Sequence, residues 1–193
     1  ARLATAQDPD STRLPRVVIT ATRSATTHGA GIASTSVIDA GALRDRGVTD
    51  VAAALQLVPG IHVVRSGGGP GAQVSLFMRG AESDYVRVLV DGVPVNDPGG
   101  AVDLSTWTLD GLDRIEVVRG PASVLYGSDA VAGVVQLFTR RARRPVEGAL
   151  RVDAGNFGTL MSEATIGGSR RAFTGLLGAS RRRSDGIHAF NSA

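Results

Sequence analysis

The 193-residue sequence has no cysteine, no lysine, few aromatics (4%), and no long apolar run. Each absence excludes something. Without Cys there is no disulfide, no thiol nucleophile and no Cys-based zinc site. Without Lys there is no phosphate-loop lysine, no Schiff base and no Ser-x-x-Lys acylation chemistry. A membrane helix needs about 20 consecutive apolar residues, and no stretch approaches that. His28, His62 and His188 stand far apart in the chain, so neither a metal nor a cofactor is expected.

The net charge is only +3. A nucleic-acid surface needs clustered basic residues together with stacking aromatics. The arginine clusters Arg140, Arg141, Arg143, Arg144 and Arg181, Arg182, Arg183 carry no interleaved aromatics. They read as boundary and loop charges, and no nucleic-acid partner is expected.

What is present is glycine, 25 of them, with many Val and 42% hydrophobic residues. That mixture favours short strands and frequent turns over a helical bundle. Near the start, Ala4-Thr5-Ala6 has the small-x-small form that ends a secretory signal peptide. Residues 1–15 read as such a remnant with a flexible, turn-rich segment. Val17, Val18, Ile19 and Thr20 lie in a β-branched run at 16–21 that has no obvious hairpin partner. Small and polar residues come next, so 22–33 reads as a linker. An unpaired strand is an aggregation hazard unless a partner is meant to cover it; otherwise it is an edge strand of the next domain.

From 34 the pattern becomes that of a folded α+β domain. Residues 34–39 read as a strand, with Asp39 capping a short helix that ends at Gly47. Thr49 or Asp50 caps a second, with Val51, Leu55 and Val58 on one face and Pro59-Gly60 as the stop. Further strands lie at 61–65, 74–79 and 85–90, and Asp91-Gly92 is the strongest hairpin signal in the chain. Residues 114–119 form another strand, Gly120-Pro121 opens a short helix, and 131–139 reads as a buried strand. The arginine-rich segment 140–145 marks a boundary, which places the domain at 34–142. Beyond it, 148–157, 159–168 and 171–181 alternate with period two. Leu150, Val152 and Ala154 share one face, with Arg151 and Asp153 on the other. Such segments suit a transmembrane barrel or a soluble meander.

Three motifs stand in order: Phe77-Met78-Arg79-Gly80, then Val88-Leu89-Val90-Asp91-Gly92-Val93-Pro94, then the long run from Ile115 through Arg119-Gly120-Pro121 and Leu125-Tyr126-Gly127 to Thr139. With Leu57-Val58-Pro59-Gly60-Ile61 before them, they resemble the plug domain of TonB-dependent outer-membrane receptors. Asp103-Leu104-Ser105 and the Tyr126–Ala130 stretch lean towards the cobalamin branch, with siderophore receptors sharing most of the pattern. The resemblance implies a plug with a small mixed sheet and short helices, continued at 146–193 by the first antiparallel strands of a β-barrel. Such a barrel has about 22 strands of about 9–11 residues each, so an incomplete barrel is expected here.

The resemblance also implies partners and sites. Residues 16–21 are similar to a TonB box, and Val17, Val18, Ile19 and Thr20 would add a strand to the C-terminal domain of TonB, with the ExbB–ExbD motor behind it. Arg79 and Arg119 would pair with glutamates of the barrel wall. A large ligand, cobalamin or a ferric siderophore, would touch Gly71, Ala72, Gln73, Ser75, Asp84, Tyr85, Asn96, Asp97 and Asp103. The barrel would sit in outer-membrane lipid, with the TonB box facing the periplasm. Trp107 reads as packing. An enzyme is not expected, because Asp113 and Glu116 form an acid pair only inside a motif with another explanation. The competing reading is a soluble periplasmic binding or signalling domain with a plug-like fold.

Overall fold

The computed structural model describes residues 17–18, 26–27, 34–66, 72–171 and 173–185. The first two short strands, β1 (Val17–Val18) and β2 (Thr26–Thr27), pair antiparallel with Val17 opposite Thr27. This corrects the expectation that the first strand lacks a hairpin partner. Thr26 and Thr27 are β-branched residues within the otherwise small, polar linker, and they supply the returning edge. Ile19, Thr20 and Gly71 lie outside the described residues, as do His28 and His188.

β3 (Ser34–Asp39) leads into α1 (Ala40–Asp45), where the Asp39 carboxylate accepts from Ala42 N at 2.8 Å. α2 (Val51–Gln56) starts in the same way, with Asp50 accepting from Ala53 N at 2.7 Å. Both are N-caps that satisfy amides with no intrahelical partner. Val51, Leu55 and Val58 are buried, as their spacing predicts. β4 (Ile61–Ser66) and β5 (Gln73–Met78) form a separate antiparallel pair.

β6 (Val86–Val90) turns through Asp91 and Gly92 into β7 (Val93–Pro94). Both turn residues have positive φ, 47° and 88°, the geometry for which Asp-Gly is selected. β8 (Leu112–Arg119), α3 (Ser123–Tyr126) and β9 (Gly133–Thr139) complete the central sheet. The helix expected from Pro121 starts later, at Ser123. Gly120 N and Ala122 N instead donate to the carbonyls of Ala132 and Ala130 at 2.9 Å each, extending the ladder past the strand end.

The strand order is β3-β8-β9-β6-β7, with β6 parallel to β9 and every other pair antiparallel. One face of this mixed sheet presents Val86, Val88, Ile115, Val117, Val135 and Leu137 to α1, α2 and the β4–β5 pair. Ile115 and Leu137 there are 0% exposed; burial of such side chains is worth about 1.5–3 kcal/mol each. Trp107 packs against this core. The other face is covered by Tyr126 and Ala130, beside Leu89, Val118 and Val134. Glu116 is also fully buried, held by Arg114 Nε at 2.9 Å, and the Arg114 guanidinium lies 3.8 Å from the centre of the Phe138 ring.

β10 (Glu147–Ala154), β11 (Leu160–Arg170) and β12 (Phe173–Arg183) form an antiparallel sheet of their own. Its polarity is inverted relative to a soluble sheet. Leu150, Ile166 and Leu177 are 76%, 62% and 73% exposed. The opposite face, where Arg151 pairs across to Glu163 and Glu163 to Ser180, is the more sheltered one and carries the buried Thr165. The mixed sheet with short helices, continued by antiparallel strands, is the expected fold class.

Candidate functional site

Register defines two ends of the central sheet. Ser34 lies opposite Arg119, Arg119 opposite Gly133, and Gly133 opposite Val86. At the other end stand Asp39, Leu112, Thr139 and Asp91, where the Asp91 carboxylate accepts from Thr139 N at 3.0 Å and from its hydroxyl.

Arg119 closes the first end. Its Nη2 and Nε donate to Ser34 Oγ at 2.8 and 3.1 Å, and Nη1 donates to Pro59 O at 3.0 Å. Arg79 arrives beside it from the turn after β5, with positive φ (53°) and its amide donating to Gly60 O at 2.9 Å. Burial first, and then the charge of Arg79, lower the pKa of Arg119 from its usual value. It remains a cation under any ordinary condition. Among the described residues neither arginine has a carboxylate partner. The pair is a concentration of positive charge on planar, fork-shaped donors, suited to two-pronged bonding with carboxylates.

The candidate contact loops gather beside this end. The turn Ser83–Tyr85 precedes β6, and Tyr85 O accepts from Ala132 N at 2.9 Å. Asp84 and Tyr85 are exposed. Gly100 packs against Asp84 so closely that a Cβ would fall 2.6 Å from Asp84 O, and its φ of 94° is itself one that favours glycine. Asn96 joins this loop to the sheet. Its Oδ1 accepts from Val88 N at 2.8 Å, and its Nδ2 donates to Val86 O at 2.9 Å and Gly100 O at 2.6 Å. Asp97 closes the loop through its backbone, its amide donating to Ala101 O at 2.8 Å.

Asp103 ties the same loop to β5. It accepts from Val74 N at 3.1 Å, from Ser105 N at 2.9 Å and from Ser105 Oγ at 2.9 Å. The Ser105 amide is the largest influence lowering its pKa; burial opposes it and the Val74 amide adds to it. Thus Gln73 and Ser75, flanking Val74, join Asp84, Tyr85, Asn96 and Asp97 through the single loop 96–103. Ala72 lies just before β5. The side chains of Asn96 and Asp103 are used to build the loop, leaving Gln73, Asp84, Tyr85 and backbone groups to face outwards. Sequence reasoning missed these two brackets, because nothing local marks an Asn whose partners sit on a neighbouring strand.

The plug-domain model of the TonB-dependent receptors matches residues 30–134. The chain belongs to the TonB-dependent receptor plug domain family. The matched segment contains the Arg79–Arg119 pair and all the candidate loops. Among relatives, the chain is 36% identical over 140 residues to the vitamin B12 transporter BtuB of Vibrio vulnificus strain CMCP6, covering 72% of this chain and 23% of that protein. It is 37% identical over 141 residues to BtuB of strain YJ016, with the same coverage. The chain therefore spans about a quarter of the length of these transporters.

In fold it is similar to the ferripyoverdine receptor of the outer membrane of Pseudomonas aeruginosa, with a TM-score of 0.73, 21% identity, and coverage of 87% of this chain and 22% of that one. It is also similar to the ferric yersiniabactin uptake receptor FyuA of Yersinia pestis, with a TM-score of 0.64, 23% identity, and 78% and 24% coverage. The first of these likenesses covers far more of the chain than the plug match alone.

Proposed function

We propose that this chain is the plug, with the first barrel strands, of an outer-membrane active transporter that takes up a scarce large ligand using energy delivered through TonB. The observation that carries the reading is a family plug joined to a sheet whose apolar face points outwards. A soluble binding or signalling domain would bury Leu150, Ile166 and Leu177; a barrel wall would turn them to lipid. On this reading residues 34–142 are the plug, 16–21 the TonB box, 22–33 the linker, 1–15 a signal-peptide remnant with a flexible segment, and 146–193 the first strands of the barrel wall.

Cobalamin is the favoured ligand, because relatives above one-third identity are vitamin B12 transporters; ferric siderophores are the alternative. The outer membrane holds no ion gradient or ATP, so work must come through a protein contact. Val17, Val18, Ile19 and Thr20 would provide it by adding a strand to the TonB C-terminal domain, with main-chain bonds supplying affinity. Arg79 and Arg119, lacking carboxylates among the described residues, would meet glutamates of the wall. Ligand contacts would come from Gly71, Ala72, Gln73, Ser75, Asp84, Tyr85 and Asp97, with Asn96 and Asp103 holding the loop that presents them.

The test uses the full-length receptor in cells lacking their own cobalamin and siderophore receptors. Uptake of cyanocobalamin is compared with uptake of ferric pyoverdine. Deleting Val17 to Thr20 is expected to abolish uptake and to leave surface binding of the same compound unchanged. Uptake that survives the deletion refutes the energy coupling.

A further inference from the structure

The arginines around the junction of plug and wall divide into two groups. Arg140 donates from Nη2 to Glu147 Oε1 at 3.2 Å, and Arg143 donates from Nη2 to Asp113 Oδ1 at 3.3 Å. Arg141 lines the cleft between the plug and β11–β12. Arg144, Arg170 and Arg171 are exposed, and none of the three forms an ion pair among the described residues. The carboxylates of Glu147 and Asp113 are already engaged, so the three leave a concentration of positive charge.

The fold gathers that charge at one end of the strands. Ser169 N donates to Arg144 O at 2.7 Å, which brings the chain before β10 alongside the end of β11. Arg170 stands opposite Phe173, and Ile166 opposite Leu177, so Arg170 lies at the edge of the outward apolar face. Val146 and Phe173, 78% and 85% exposed, continue that apolar face beside the arginines. Only two residues separate β11 from β12, against five between β10 and β11. Outer-membrane barrels keep their short turns on the periplasmic side, which sets this end at the periplasmic leaflet. An arginine at such a rim lays its stem along apolar surface and sets its planar fork at headgroup depth. There a phosphate can accept two parallel bonds from it.

We infer that Arg144, Arg170 and Arg171 form a docking site for an anionic phospholipid of the periplasmic leaflet, with Val146 and Phe173 against its acyl chains. The inference rests on the reading of β10–β12 as barrel wall. One arginine would suit any phospholipid. Three without an acid among them select a headgroup whose phosphate has no cation of its own. Each arginine near an anionic lipid surface strengthens attachment roughly five-fold. The site fixes the height of the wall in the bilayer where the chain leaves the plug.

The experiment places the purified full-length receptor in phosphatidylcholine vesicles that carry a trace of photoactivatable phosphatidylglycerol or of photoactivatable phosphatidylcholine. Cross-linked residues are located by mass spectrometry. In wild type the phosphatidylglycerol probe is expected at Val146 and Phe173 in large excess over the phosphatidylcholine probe. Each of Arg144→Gln, Arg170→Gln and Arg171→Gln is expected to lower that excess roughly five-fold. Arg170→Lys, which keeps the charge, is expected to retain most of it. Arg182→Gln removes the same charge from the inward face, where Arg182 meets Thr49, and is expected to change nothing. Equal labelling by the two probes in wild type assigns the arginines to solvent or to an acidic protein; it overturns the docking site and leaves the wall standing. Labelling by neither probe, with Leu150 and Leu177 also unlabelled, overturns the wall reading and the site together. An excess that falls as far in Arg182→Gln as in Arg170→Gln is an effect of net charge alone and overturns the site.

Discussion

Asn96 makes three hydrogen bonds, to Val86, Val88 and Gly100, from a position that its neighbours in sequence do not mark as special. At about 1 kcal/mol net for each bond, Asn96→Ala should cost about 2–3 kcal/mol, read as a lower Tm or denaturant midpoint of the isolated receptor. Asp103 offers a test with pH. Its folded pKa is lowered, so the stability it contributes is present above the ordinary Asp value of about 3.9 and is lost as pH falls through the depressed value. Hydrogen exchange at Val74 should therefore be faster in Asp103→Ala than in wild type at neutral pH. The two should converge in acid. A difference that persists at the lowest pH would mean that charge is not what holds the loop. Neither bracket is legible in the sequence, since an Asn or Asp in a glycine-rich loop reads equally well as a ligand contact.

Elements are far more legible than contacts. Asp39 and Asp50 announce the helix starts because an N-cap needs only local geometry, and Asp91-Gly92 announces its hairpin because positive φ at both positions admits few residues. Expectation and structure part where tertiary pairing overrides local signals. Gly120 and Ala122 lie in a sequence that favours a helix start, yet their amides go to Ala132 and Ala130. Thr26–Thr27 reads as linker, yet it pairs with Val17–Val18. Among the described residues that pairing has two residues on each side, shorter than an independently stable hairpin. An incoming strand would have little to displace there.

At the scale of the molecule, the sequence alternation after Gly148 fits either a lipid-facing wall or a soluble meander. Alternation gives two faces but not the direction each one points. The structure supplies the direction, apolar outwards and polar inwards. If the outer face meets lipid, Ile166→Arg should cost about 2–4 kcal/mol at mid-membrane depth, while Ser180→Arg on the opposite face should cost much less. Folding yield into vesicles under urea titration distinguishes them. Equal costs would favour a sheet covered by protein instead.

The order of strands across the central sheet carries a consequence in time. Its two interior members next to β3, β8 and β9, are the last to be translated, and they lie between strands made far earlier. Until Arg119 has left the ribosome β3 lacks its partner β8, and until Thr139 has left it β6 lacks β9. At roughly 5–20 residues per second, the nascent chain passes several seconds without a sheet to join. Such late closure, with its long-range parallel pairing, is slow by nature. It keeps the polypeptide pliable through the seconds before the sheet can close.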